Sequence, residues 1–136
     1  FGTIHASNAA STVGRILDLF PADMHGSLRS AMAFNMKAIL AQKLLRSDNV
    51  GRVPAVEVMI FNGMIRKCIL EEQDDKLGDV IRMGAEDGMQ DFTMSLKHLV
   101  DAELISRETA LEVAPNVEAL KMALKGIEVR SAGILS

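Results

Sequence analysis

Apolar positions recur at two different spacings along the chain, and the change of spacing divides it. In "ASNAASTVGRILDLFP" Ala9, Val13, Ile16, Leu17 and Phe20 repeat at helical spacing. Ser7 or Asn8 stands ready to cap that helix, and Pro21 to stop it. Arg15 and Asp18 share the opposite face. A second helix is expected near Asp23, with Met24, Leu28, Ala31 and Met32 turned inward. The run "AILAQKLL" is ambiguous on its own, but "VEVMIF" sets Val56, Val58 and Ile60 against Glu57 and Met59 in strict alternation. With "RSDNVGR" between them the two runs predict an antiparallel hairpin. The five residues before the first helix, Phe1 to His5, have the character of a strand end.

Strand signals stop at Asn62. "GMIRKCILEEQ" predicts a short amphipathic helix, with Met64, Ile65, Cys68 and Ile69 on one side and Arg66, Lys67 and Glu71 on the other. Asp74 is placed to cap the next helix, Phe92, Leu96, Leu99 and Val100 mark a longer one, and Ser106 and Asn116 cap two more. The expected organisation is therefore an α/β piece over 1–61, an all-α helical bundle over 62–125 and a tail over 126–136.

Composition narrows the class. At 49% hydrophobic and 24% charged residues the chain can bury a core and is not a disordered tail. No apolar run reaches the roughly 18 to 20 residues of a membrane span. A net charge of -3 and the absence of Trp and Tyr argue against nucleic acid as a partner. The single cysteine, Cys68, is expected to be a buried, reduced thiol.

Candidate chemistry is sparse. There is no G-x-x-x-x-G-K-[ST] loop, no cysteine pair at metal spacing and no H-E-x-x-H, so no metal site is expected. His5 is the best single candidate. A histidine where a strand hands over to a helix can donate to a terminal phosphate oxygen, with the helix N-terminus adding N–H donors; on spacing alone a solvated or backbone-bonded residue is the commoner reading. Arg15 either reaches an anion or a neighbouring subunit, or pairs with Asp18. Gln42, polar within an apolar run, is either paired to backbone or aimed at a ligand. Glu71, Glu72, Asp74 and Asp75 fit a solvated cap better than a metal site.

Four ordered stretches carry a resemblance. "FGTIHASNAASTVGRILDLFP" resembles the histidine box of the type IV pilus retraction ATPases, the PilT family of pilus and secretion motors. "LAQKLL…GRVPAVEVM" is similar to that family's following strand pair, "GMIRKCILEE" to its A-I-R-N-L-I-R-E helix, and "GMQDFTMSLKHLVDAELISRETAL" to its closing helical motif. The likeness runs in order from Phe1 to about Leu124.

The resemblance implies the C-terminal part of a RecA-like P-loop ATPase core followed by a helical bundle, in a hexameric motor that uses ATP and Mg²⁺. The phosphate loop and the Mg²⁺-binding strand would lie before the histidine box, so this chain alone is expected neither to bind nucleotide nor to hydrolyse it. His5 would contact the γ-phosphate; Arg15, Gln42 and Arg52 match polar positions near the nucleotide or the subunit boundary; Ile65, Arg66, Ile69 and Glu71 match the motor-coupling helix. Leu70 stands where that helix usually carries a second arginine, and Met64 and Cys68 replace Ala and Leu. An inner-membrane pilus or secretion platform protein would be the partner, and the cytoplasmic face of the inner membrane the location. The rival reading is a non-enzymatic helical interaction module.

Overall fold

A computed structural model describes residues 1–126; the expected tail from 126 onward lies almost wholly outside them. The elements are α1 (Ala9–Leu17), α2 (His25–Asn35), β1 (Ala38–Ser47), β2 (Gly51–Ile60), α3 (Gly63–Leu70), α4 (Leu77–Met83), α5 (Phe92–Asp101), α6 (Arg107–Val113) and α7 (Val117–Leu124). The described chain is thus a mixed α/β structure, one two-stranded sheet with seven α-helices. None of these helices is long and apolar enough to cross a membrane.

Local chemistry accounts for most boundaries. Asn8 caps α1 by accepting from the Ser11 N–H at 2.7 Å, while Ser11 Oγ accepts from the Asn8 N–H, a reciprocal capping box. Ser106 and Asn116 cap α6 and α7 as the pattern predicts, and Asn62 caps α3. The hairpin is closed by a three-residue turn entering Gly51, whose φ of 81° lies in the left-handed region that suits glycine.

The expected strand at Phe1 to His5 does not form. Phe1–Ala6 have no ladder partner among the described residues, and a strand exists only through its hydrogen-bonded neighbours. Asp74 does not cap α4 with its side chain; a 3₁₀ turn over Asp74–Lys76 leads into that helix instead.

The structure settles which face of β2 is covered, a point the alternation leaves open. Ala55, Glu57 and Met59 are buried, and Val56, Val58 and Ile60 only half-buried. Alternation fixes which residues share a face but not which face is covered.

The chain forms two compact units. One comprises Phe1–Gln42 with Val56–Asp91. Its core joins Ala9, Val13 and Leu17 of α1, Met32 and Ala33 of α2, Met59, and Ile65, Ile69, Leu77 and Ile81 of α3 and α4. A cut at residue 62 would separate α3 and α4 from the helices whose core they share. The other unit comprises Lys43–Ala55 with the described residues from Phe92 to Gly126. There Phe92, Leu96, Ala110 and Leu120 are buried, α5, α6 and α7 pack on one another, and Lys43 Nζ lies 4.7 Å from the Phe92 ring centroid.

Candidate functional site

In the first unit, the residues leading into α1 and the first turns of that helix make an open cleft of about 480 Å³ lined by His5, Ala6, Ser7, Ser11 and Arg15. Its shape follows from the helix start. Ser7 and Ser11 lie one turn apart with their hydroxyls 3.3 Å from each other, and Arg15, one turn further, donates from Nε to the His5 carbonyl at 3.3 Å. His5 and Arg15, chosen separately from sequence, are therefore neighbours. Arg15 is not committed to Asp18; its guanidinium ties the segment before α1 to the helix and carries further donors on the same fork.

An imidazole, two hydroxyls and a guanidinium suit an oxyanion of phosphate type. Three of the backbone donors expected to join them are already used. At the start of α1 the Ser11 N–H goes to Asn8 Oδ1, the Asn8 N–H to Ser11 Oγ, and the Ala9 N–H to Glu57 Oε1 at 2.8 Å. The cleft offers an anion side chains rather than those amides. Glu57 is the residue that sequence reasoning missed; a lone acid in an otherwise apolar strand was the available signal.

Gln42 and Arg52 are placed differently. Gln42 is exposed on β1, so no buried amide there requires a partner. Arg52 is exposed in the second unit, where it lines a shallow groove with Leu44, Leu45, Arg46 and Gly51. Among the described residues no group of three acidic, His or Cys side chains converges as a metal site.

The α3 residues divide sharply. Ile65 and Ile69 are fully buried and Glu71 is exposed at the helix end. Arg66 departs from expectation: it is half-buried, and its Nε donates at 3.0 Å to the Ala33 carbonyl in the last turn of α2. The α2 residue Arg29 returns the contact, donating to the Ile69 carbonyl in the last turn of α3 at 3.1 Å. Arg66 satisfies a carbonyl that helix geometry leaves open, while the Ile69 carbonyl accepts from Arg29 in addition to the Glu72 N–H at 3.3 Å.

Arg29 also makes a two-pronged pair with Asp74, at 2.8 Å on each oxygen. Asp74 is thus not a solvated cap. The hydrogen bond to Asp74, against the opposing effect of burial, pushes the Arg29 guanidinium above its already high ordinary pKa. Cys68 is buried and unpaired, as expected, and burial pushes its thiol up.

No family model matches the chain. It is 40% identical over 114 residues to the type IV pilus retraction ATPase PilT of Pseudomonas aeruginosa, covering 84% of this chain and 33% of that protein. A twitching motility protein of Neisseria gonorrhoeae is 38% identical over 121 residues, or 88% of this chain and 32% of its own length. A crystal structure of the pilus retraction motor PilT with bound ADP superposes with a TM-score of 0.77 at 32% identity, covering 89% of this chain and 34% of that one. The chain spans about a third of the length of the relatives it matches. Sequence and backbone point the same way, and the chain belongs to the PilT-type family of type IV pilus ATPases.

Proposed function

We propose that this chain is the C-terminal portion of a hexameric, RecA-like ATPase motor acting in pilus retraction or a related secretion system at the cytoplasmic face of the inner membrane. The observation that carries this reading is the pairing of His5 with Arg15 at the start of α1 in a member of this family.

In the working motor ATP would supply the phosphoryl group and Mg²⁺ would offset its charge, though no cluster of ligating side chains among the described residues would hold the ion. His5 donates a hydrogen bond to the γ-phosphate. Arg15 holds the His5 segment against α1 and adds positive charge at the cleft, and Ser7 and Ser11 provide hydroxyls. Positioned donors of this kind act where charge develops during phosphoryl transfer. Arg52 and Gln42 serve the nucleotide or subunit boundary. The α3 helix passes motion to the partner platform protein, with Ile65 and Ile69 seated in the core and Arg66 tied to α2.

The test is a segment swap, with residues 1–126 replacing the matched part of Pseudomonas aeruginosa PilT. The swapped protein should hydrolyse ATP, and His5→Ala should lower its turnover roughly ten- to thousand-fold, as expected for one transition-state donor. A folded hexamer whose turnover ignores His5→Ala would remove His5 from the site. A folded swap protein with no turnover would favour a non-enzymatic interaction module.

A further inference from the structure

We propose that Glu57 is a positioning residue for the His5–Arg15 cleft, holding the first turn of α1 in register with β2; this rests on the functional reading above for the cleft's purpose but not for its geometry. Glu57 points into the core of the first unit and is only 7% exposed. A buried carboxylate is costly unless charged or polar donors compensate it. One compensating donor is the Ala9 N–H, 2.8 Å from Oε1 and 48 residues away in sequence. Ala9 is the first residue of α1, and its N–H is one that helix geometry leaves without an intrahelical acceptor. The carboxylate also sits at the positive end of the helix dipole, which strengthens the bond.

The contact is well placed to set the cleft. Ala9 lies two residues from Ser7 on one side and two from Ser11 on the other, and both line the cleft. The capping box fixes Asn8 and Ser11 relative to each other only; it is local and would travel with the helix. Glu57 supplies the long-range fixed point. By engaging Ala9 it also withdraws that backbone donor from any phosphate in the cleft.

Reach and charge are separable here. Glu57→Gln keeps an acceptor oxygen at the same reach without the charge. Glu57→Asp keeps the charge but shortens the side chain by one carbon–carbon bond, about 1.5 Å, which takes a contact of this length beyond hydrogen-bonding range. A positioning role therefore predicts that Gln substitutes and Asp does not; a purely electrostatic role predicts the reverse.

Hydrogen exchange of the Ala9 amide in the 136-residue chain reads the contact itself. The native chain should protect Ala9, Glu57→Gln should keep protection within about threefold, and Glu57→Asp should lose about tenfold, near the worth of one hydrogen bond. Backbone shifts of Ser7, Ser11 and Arg15 should follow the Asp substitution and not the Gln. In the PilT segment-swap protein, ATP turnover should hold in Glu57→Gln and fall about tenfold in Glu57→Asp. An unprotected Ala9 amide in the native chain overturns the proposal even if every variant unfolds, as does an Asp variant that matches native protection while Gln loses it. A swap protein without turnover would sink the functional reading and leave the exchange comparison standing.

Discussion

Replacing Asp74 with alanine removes the carboxylate from a pair in which Arg29 is 12% and Asp74 31% exposed at the side chain. The two charge-assisted bonds of 2.8 Å are lost together, and the guanidinium keeps its bond to the Ile69 carbonyl. Losing one partner of a fully buried pair costs about 3–5 kcal/mol. A solvent-exposed pair is worth at most about 1 kcal/mol. With one partner nearly buried and the other a third exposed, the expected cost is about 2 kcal/mol, a fall in melting temperature of about 7 °C for a chain of this size. Asp75, the exposed neighbour, is the control, and Asp75→Ala should stay within about 0.5 kcal/mol of native. Urea denaturation of both variants, with Arg29→Met alone and combined with Asp74→Ala, gives the coupling energy directly. If Asp74→Ala is as mild as Asp75→Ala, or the coupling is below about 0.5 kcal/mol, the pair does not hold α2 to the turn that leads into α4.

Arg66→Ala should cost about 1 kcal/mol in the same assay, the value of a hydrogen bond to a helix-terminal carbonyl, and a cost below about 0.3 kcal/mol would show that the Ala33 contact contributes nothing. Ile69→Ala, at a fully buried site in the core of the first unit, should cost about 2–5 kcal/mol and would contradict the packing described if it cost under about 1. Cys68 should react with a thiol reagent only as the chain opens, so its labelling rate should rise with urea along the unfolding curve; fast labelling in native buffer would refute its burial. Because its folded pKa is raised, the thiol's contribution to stability is intact below the unfolded value near 9.0 and is lost as pH rises from there through the folded value, since the unfolded chain sheds the proton first.

Local chemistry was legible and long-range chemistry was not. The starts of α1, α6 and α7 follow from Asn8, Ser106 and Asn116, whose capping bonds span three residues. The hairpin follows from alternation on either side of a polar turn. What failed needed a partner that pattern cannot supply. Phe1 to His5 look like a strand in composition, yet no ladder partner stands beside them among the described residues. Alternation in β2 separates Val56, Val58 and Ile60 from Glu57 and Met59 without saying which set is covered, and Glu57 faces inward to a helix start 48 residues earlier. Arg66 looks solvated on a helical wheel and Asp74 looks like a cap; each is taken up by α2, 33 and 45 residues away.

The same distinction applies to the site. His5 was visible as a polar residue at a structural junction, and its family motif raised it above a bland reading. Its closeness to Arg15 follows from helical spacing only once α1 is known to begin at Ala9, which places Arg15 nearly two turns in and back over the incoming segment. The boundary at residue 62 followed the loss of strand signals, whereas the core follows burial, and α3 and α4 bury their apolar faces among α1, α2 and β2.

The central claim, that His5 reads the γ-phosphate, is tested most directly by labelling the imidazole nitrogens of the PilT segment-swap protein and following the His5 ring by NMR. Addition of Mg²⁺ with a non-hydrolysable ATP analogue should shift the His5 ring nitrogens, and addition of Mg²⁺ with ADP should leave them near their nucleotide-free positions. Equal shifts with both nucleotides, or none with either despite measured binding, would contradict the account.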